Sequence, residues 1–568
     1  MRGGIMRTVI VGGVAGGMST AARLRRLDEA HEIVVLERSQ YVSYANCGLP
    51  YYVGGTIEDR EALILGTPQS FASRFGIDVR TGTEALAVDR ERSVVVAREV
   101  GSRATYEIPW DHLVLSPGAT AFVPDVPGVG RALTLRTIED MDKVRSATRD
   151  GHASSAVVVG GGFIGLEAAE NLQRAGLSVT VVELAAQVLA PLDPELAQLV
   201  ADELAYNGVG LALGAALAKV LPDAVELTNG QVLPADLVLL AIGVQPDTAL
   251  ARAAGLALGP RGGIQVDEHL RTSDPRIYAV GDAVEKLDQL SAEPVLVPLA
   301  NIANHQGRRV ADEIAGVPRP FRPVQSTAII RVFGLTAAVT GWNEKRLAAA
   351  GHPYIALHTH PGSHAGYYPG ASPMALKLLI EPTTGAILGA EAVGADGVDK
   401  RMDVLATAMH AGLTGPQLAE LELAYAPQFS SAKDPVNMLG YVCENRLNDN
   451  ESSVQWYEVP GLAEAGAVII DLRTPQEHAD GHIPGSWNLP LDELRARRPD
   501  LSARVPNGSR VVVYCAAGQR AHIGYRLLAS WGYDVVNLDG GYLTWSAGTR
   551  AEYAAREAAQ SAGSAKPT

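Results

Sequence analysis

Three cysteines occur in 568 residues, Cys47, Cys443 and Cys515, and two of them stand among residues that suit thiol chemistry. "SYANCGLPYY" sets Cys47 beside glycine and ahead of proline, with four tyrosines nearby. "RVVVYCAAGQR" sets Cys515 at the end of a β-branched run, followed by a glycine-bearing loop and Arg520. In such a loop successive backbone N–H groups converge and the next helix adds partial positive charge, so a thiolate or persulfide is stabilised. The three cysteines lie too far apart for a disulfide framework or a zinc spacing, which points to reactivity in a reducing compartment. Cys443 lies in an apolar stretch and reads as structural. Histidines 358, 360 and 364 in "HTHPGSHAG" have no carboxylate or cysteine at ligand spacing, so no metal is expected there.

Elements that position such groups are written around them. "RTVIVGGVAGG" is a strand entering a glycine turn, "MSTAARLRRL" is a helical pattern, and "EIVVLER" is a second strand ending at Glu37 and Arg38. This is the layout in which glycines admit a pyrophosphate to a helix N-terminus while an acid some 20 residues on holds a ribose hydroxyl. Gly12 and Gly17 occupy the outer positions and Val14 replaces the middle glycine. A second copy, "SAVVVGGGFIGLEAAENLQRAGLSVTVVE", is complete, with Gly160, Gly162, Gly165 and Glu183. Glu183 opposes a 2′-phosphate and "LAAQVL" after it carries no arginine, so NADH is expected over NADPH. Further on, "RIYAVGDAVE" delivers Asp282 beside Gly281 at a tight turn.

The totals bound the rest. The length allows three or four cores. A net charge of −15 without a basic cluster argues against nucleic acid or an anionic membrane as the main partner. No apolar run approaches the ~18–20 residues of a spanning helix. The N-terminal apolar run reads as a strand rather than a signal peptide, with Met6 an alternative start to Met1, so a cytoplasmic protein is expected.

Taken together, the two dinucleotide motifs, the Gly281–Asp282 turn, "LVLSPGA" with Gly118, and "LLAIGVQPD" resemble the flavoprotein disulfide reductases over roughly residues 6–325. The resemblance implies FAD on the first fold, with Asp282 at its ribityl chain, and NADH on the second. Most relatives pair Cys47's counterpart with a second cysteine in a C-x4-C motif, and here Leu, Pro, Tyr and Tyr follow instead. A lone cysteine cycles as a sulfenic acid, as in NADH oxidases and peroxidases, or as a mixed disulfide with a small thiol. "SYANCGLPYY" is similar to the single-cysteine subgroup that includes the coenzyme A disulfide reductases. "GSHAGYYPGA" and "LAYAPQFSSAKDP" resemble the dimerisation domain of that subgroup. The resemblance implies a homodimer in which Tyr367 (with Tyr368 as the alternative) and Tyr425 reach the other subunit's cysteine, where a phenol can protonate a departing sulfur. It likewise places coenzyme A among Ser19, Arg23, Arg26, Ser43, Asn46, His305 and Lys433, with cations for its phosphates.

Past a polar linker near 445–452, "VIIDLRTPQEHADGHIPGSWNLP" and the "CAAGQR" loop resemble rhodanese domains, which implies sulfur transfer at Cys515 with Arg520 on the substrate. The expected α/β plan is an FAD-binding Rossmann-like domain (1–115 and 246–325), an NAD-binding one (116–245), an α+β dimerisation domain (326–445), an α/β rhodanese domain (453–555) and a disordered tail (556–568). The expected activity is NADH- and FAD-dependent reduction of coenzyme A persulfide, polysulfide or disulfide, with Cys515 supplying sulfane sulfur. The alternatives are an NADH peroxidase or oxidase, or a non-enzymatic redox sensor.

Overall fold

The computed structural model describes residues 5–149 and 153–563. Near-continuous β-branched runs, buried on both faces, form parallel sheets. The first sheet is five-stranded in the order Ile277–Ala279, His112–Leu115, Arg7–Val11, Glu32–Leu36, Asp78–Arg80, all parallel. Its edge strand Ile277–Ala279 arrives only after the chain has left and built a second parallel sheet, Gly210–Leu213, Ser178–Glu183, Ser155–Val159, Leu237–Leu240. The outgoing and returning segments, Ala119–Ala121 and Val244–Pro246, pair antiparallel. That ribbon is the double crossover anticipated from "LVLSPGA" and "LLAIGVQPD".

An antiparallel five-stranded sheet follows, ordered Ala328–Val332, Leu335–Gly341, Ile387–Gly394, Met374–Ile380, Ile355–Thr359. Its strands at 374–380 and 387–394 are buried throughout, and helices Val398–Ala411 and Pro435–Leu447 contribute to the same core. Cys443 is fully buried in that core, and burial pushes its thiol well up, which keeps it a packing residue. The last sheet is parallel, ordered Ser453–Val454, Val535–Leu538, Val511–Tyr514, Val468–Asp471, Trp487–Asn488.

Two expectations change. Helix Pro435–Leu447 runs into the segment read as linker, so the polar break begins at 448. The tail expected from 556 is helical to 563 as the end of helix Gly541–Gly563, in which Ala551 and Ala558 are buried. The helix formers in "AEYAAREAAQ" extend it, and Ala558 packs closely against Gly214 of the second fold. Residues 564–568 of the expected tail and Met1, to which Met6 is the alternative start, lie outside the described residues. Among the described residues no helix is long and apolar enough to cross a membrane.

Candidate active sites

Both glycine turns are built alike. A Cβ on Gly12 would lie 2.0 Å from the Ser116 carbonyl oxygen, and one on Gly160 2.3 Å from that of Ala241, at φ of +100° and +112°. Gly17 and Gly165 let each helix start close against its own strand, since a Cβ at either would sit 1.9 Å from the Gly12 or Gly160 oxygen. Gly162 is different: a Cβ there meets nothing within 4 Å, so the demand for glycine comes from the space a ligand backbone needs. The acids repeat the symmetry. Glu37 accepts from the Gly13 N–H at 2.8 Å and Glu183 from the Gly161 N–H at 2.7 Å, placing each carboxylate beside its turn. Burial pushes the Glu37 carboxyl up, while its two backbone hydrogen bonds, from Ser39 and Gly13, work against that. Arg38 is exposed next to it.

At the third motif, Gln306 Oε1 accepts from the Gly281 N–H (2.8 Å) and Lys286 Nζ donates to the Gly281 carbonyl (2.7 Å), so the turn is gripped on both sides. Burial lowers Lys286 to about 8. Asp282 pairs with Arg136 at 2.8 Å, and that guanidinium also lies beside Gly118. Gln306 Nε2 is buried at this turn without a partner. An orphaned donor, a charged pair and an open glycine turn fit FAD. Gly12 to Gly17 would take its pyrophosphate, Glu37 its ribose and the Gly281–Asp282 turn its ribityl chain.

Cys47 lies in the short 3-10 turn Asn46–Gly48, exposed, with its Sγ 3.7 Å from Asn46 Oδ1. The surrounding protein pushes its thiol up by desolvation, the Glu167 and Asp282 carboxylates add to this, and Arg136 opposes it. The next turn, Leu49–Val53, separates its two tyrosines. Tyr51 donates to Glu167 Oε1 at 3.1 Å, whereas Tyr52, at the place of a second cysteine, lies under the Arg145 guanidinium, 4.8 Å from ring centre. Arg145 also donates to the Tyr52 and Val53 carbonyls. Burial pushes Glu167 up as well. Arg136, Glu167 and Lys286 escaped the sequence reading; the one signal for Glu167 was its place in the first turns of the helix after Gly162.

The residues expected around coenzyme A fall into two groups. Helix Ala15–Leu27, with Ser19, Arg23 and Arg26, packs on helix Ala300–Ile314, which carries His305; Gly307 comes so close to Gly16 that a Cβ would lie 2.3 Å from its carbonyl oxygen. Ser19 donates to Asn304 at 2.5 Å, Arg23 gives its Nε to buried Asp312 at 2.7 Å, and Arg26 and His305 are exposed. Ser43 holds a left-handed φ of 48° while its N–H donates to the Gly13 carbonyl, which ties the Cys47 segment to the first glycine turn. The second group is on the antiparallel domain. Tyr367 and Tyr425 hydrogen-bond through their hydroxyls at 3.0 Å, although 76% and 50% exposed. That bond to Tyr425 raises the Tyr367 phenol. Tyr368 stands apart, edge-on to His364 at 5.6 Å, which favours Tyr367 for the role. Lys433 is exposed just ahead of Asp434, which caps helix Pro435–Leu447. Among the described residues no hydrogen bond or ion pair joins the two groups.

Cys515 ends strand Val511–Tyr514, 2% exposed, with the Gly518 N–H donating to its sulfur at 3.1 Å. Arg520 is not free: Glu477 binds it at both ends, at 2.8 and 2.5 Å, and that pair pulls the Glu477 carboxyl down to about 2. Asp471 similarly fixes Arg473 and His478 and accepts from the Tyr514 hydroxyl.

A pair of dinucleotide folds joined by a double crossover, with the lone thiol Cys47 beside them and a further domain whose loop carries Cys515, defines a redox enzyme with thiols at its candidate sites. The chain belongs to the pyridine nucleotide-disulphide oxidoreductase family, whose model matches residues 6–307, with that family's dimerisation domain at 327–435 and a rhodanese-like domain at 457–548. It is therefore an oxidoreductase that uses FAD and a nicotinamide nucleotide. Coenzyme A disulfide reductase of Staphylococcus epidermidis is 34% identical over 436 residues, 77% of this chain and 99% of the relative. The structure of reduced Bacillus anthracis CoADR-RHD superposes with TM-score 0.94 at 44% identity, covering 97% of this chain and 99% of the other. An NAD-dependent persulfide reductase from A. fulgidus gives TM-score 0.89 at 37% identity, covering 95% of this chain and 100% of that one.

Proposed function

We propose that this chain, as a homodimer, reduces coenzyme A persulfide, and also coenzyme A disulfide, with NADH, and that Cys515 supplies the sulfane sulfur. One observation carries the reading: the position where a second cysteine would resolve Cys47 is filled by Tyr52, held under Arg145, so in a disulfide cycle the partner sulfur arrives with the substrate. Bound FAD supplies two-electron transfer from the nicotinamide to that sulfur. Cys47 thiolate attacks the inner sulfur of CoA–S–SH, forming a Cys47–S–S–CoA mixed disulfide and expelling hydrosulfide. Two electrons and a proton then return Cys47 thiolate and release CoA–SH, so one NADH is consumed per hydrosulfide. Tyr367 and Tyr425 of the partner subunit stand over the departing sulfur. Their mutual hydrogen bond orders the hydroxyls, and their exposure in the single chain supports a role across a subunit interface. Arg26, His305 and Lys433, exposed and outside the described ion pairs, suit the coenzyme's phosphates.

The test is anaerobic NADH consumption with coenzyme A persulfide, coenzyme A disulfide and hydrogen peroxide, hydrosulfide being followed in parallel. A higher kcat/KM for persulfide with one hydrosulfide per NADH is expected. Preference for peroxide overturns the mixed-disulfide cycle. In Cys515→Ala, turnover of preformed coenzyme A persulfide is expected to stay unchanged while turnover with bulk polysulfide and coenzyme A is lost. Equal loss of both assigns Cys515 elsewhere.

Nucleotide choice rests on Glu183. Its carboxylate repels a 2′-phosphate, so Glu183→Gln, which removes the charge and keeps one of the two oxygens that accept from the Gly161 and Ala185 N–H groups, is expected to raise the NADPH to NADH ratio of kcat/KM about tenfold. An unchanged ratio removes Glu183 as the discriminating group.

A further inference from the structure

The two histidines at 358 and 360, left without a ligand role, lie in a seam between domains. His358 is on edge strand Ile355–Thr359, opposite Lys377 in the neighbouring strand. Its N–H donates to Asp539 Oδ1 (3.1 Å), its Nδ1 bonds Asp539 Oδ2 (2.5 Å) and its Nε2 bonds Glu195 Oε1 (3.0 Å), all three residues being buried. His360 Nε2 bonds Thr544 Oγ1 at 2.7 Å. Asp539 and Thr544 bracket one short segment of the rhodanese-like domain. Between them, Gly540 presses on His358, a Cβ there falling 2.7 Å from the His358 Cβ. Gly541 passes so close to the cysteine that a Cβ would lie 2.5 Å from the Cys515 carbonyl oxygen. The Tyr542 N–H then donates to the Cys515 carbonyl at 2.8 Å and the Leu543 N–H to that of Ala516 at 3.0 Å. The ends of the segment are therefore held by the antiparallel domain, while its middle holds the backbone of Cys515 and the residue after it.

We propose that His358, assisted by His360, is a positioning residue for Cys515: the reductase part of the chain sets the conformation of the loop that carries the sulfur-accepting thiol. The proposal rests on the reading of Cys515 as a sulfur acceptor, but its geometry is independent of which donor loads it. The Asp539–Thr544 segment is tightly packed, since both glycines are in left-handed conformations and approach neighbouring atoms more closely than a Cβ would allow. The Asp539 carboxylate is further tied by Gln455, whose Nε2 also donates to the Ala356 carbonyl on the histidine strand. A change at the imidazole thus reaches Cys515 through one rigid turn.

The test uses full-length protein and two substitutions that each keep half of the imidazole's bonds. Asparagine places its amide where Nδ1 was and keeps the side-chain bond to Asp539, whereas glutamine reaches toward Glu195 and gives up that side-chain bond, leaving Asp539 only the backbone N–H. The rate of Cys515 alkylation by iodoacetamide, read on its peptide by mass spectrometry, needs no sulfur donor. Persulfide formation on Cys515 with thiosulfate or polysulfide is read in the same way. Expected is a change in both rates of about tenfold or more in His358→Gln, with His358→Asn within about threefold of wild type, since sub-ångström to 1 Å misplacements of a reacting group carry effects of this size. NADH reduction of coenzyme A disulfide should hold in both. Thr544→Val, which removes the His360 bond from the other side, should shift the Cys515 rates in the same direction. The proposal is overturned by wild-type Cys515 rates in His358→Gln, or by equal changes in the asparagine and glutamine variants, the pattern of a general packing role. Wild-type protein that is alkylated at Cys515 but never persulfidated sinks the sulfur-acceptor reading instead, and the alkylation comparison still decides the positioning role.

Discussion

Cys47→Ser is expected to lower anaerobic turnover of coenzyme A persulfide and disulfide by on the order of 10³-fold or more, about 4 kcal/mol of barrier at 1.36 kcal/mol per decade. A serine oxygen cannot form the sulfur–sulfur bond on which the cycle depends, and the sequence around Cys47 offers no second thiol to replace it. NADH-dependent bleaching of the flavin absorbance should persist in this variant, since Glu183, the Gly160–Gly165 turn and the flavin-facing groups are untouched. Loss of turnover with flavin reduction intact locates the defect at sulfur. Retained persulfide turnover would falsify the mixed-disulfide scheme. The electrostatics add a pH signature. Burial, Glu167 and Asp282 all push the Cys47 thiol up, so little thiolate is present at neutral pH and formation of the mixed disulfide should accelerate into the alkaline range. Glu167→Gln removes one of the two carboxylates, and the rising limb of a single-turnover profile should move to lower pH. A profile that stays in place excludes Glu167 as a determinant of the thiol.

How much of this could be read from the chain depended on the distance between partners in sequence. The glycine turns, their acids and the strands feeding them are local patterns: Gly160 and Glu183 are separated by one helix and one strand, and each constrains the backbone where it stands. Cys47 and Cys515 declared themselves by their immediate neighbours. The pairs that tune those groups did not. Arg136 reaches Asp282 across 146 residues, and His358 meets Glu195 across 163 and Asp539 across 181. No periodicity or motif links residues so far apart; only packing of three separate sheets brings them together. The same limit explains Arg23 and Arg520. Each was assigned to a ligand as a cation at a family position, while Asp312 and Glu477, which hold them, sit elsewhere in the chain.

The misread tail shows a different failure. Its alanine, serine and glycine content suggested a chain too poor in apolar surface to order itself, but the test for a terminal helix is what lies beneath it. Ala558 meets Gly214, a site where the second nucleotide fold presents no side chain, and Arg550 pairs with Asp202 of the helix below at 2.9 Å. Small residues were the condition for that close approach. The fused domain is thus seated along the helix Pro194–Tyr206 at one end and on the histidine strand at the other.

That seat carries the second large expected effect, a loss of about 3–5 kcal/mol of stability in Lys377→Met. Lys377 is fully buried, and its ammonium contacts Asp193 at 2.9 Å, Glu195 at 2.5 Å and Glu344. Burial acts against the ammonium, and the three carboxylates outweigh it and raise it well above the ordinary lysine range. Burial likewise acts to raise Glu195, yet Lys377 and His358 hold its carboxyl well below the usual range, while burial and Asp193 push neighbouring Glu391 far up. Removing the cation takes from Asp193 and Glu344 the ammonium they pair with and leaves Glu195 with His358. The pH dependence has a defined sign on each side. Glu195 is depressed in the folded chain, so its contribution in the wild type is present above the unfolded value and lost as pH falls through the folded one. For His358, burial lowers the imidazole but Asp539 and Glu195 more than compensate, raising it to about 9; its contribution is complete below the unfolded value of ~6.5 and disappears as pH rises through about 9. The His358 share of wild-type stability should therefore fall as pH rises from about 6.5 and be gone above about 9. In Lys377→Met the stranded carboxylates titrate upward, so its deficit against wild type should shrink as pH is lowered from 7 to 5. Urea unfolding followed by flavin fluorescence and by tryptophan emission at each pH makes the comparison. A Lys377→Met deficit below about 1 kcal/mol, or one that does not change with pH, would mean that the carboxylates find water once the lysine is gone and that packing along helix Gly541–Gly563, rather than this ion cluster, holds the two halves of the chain together.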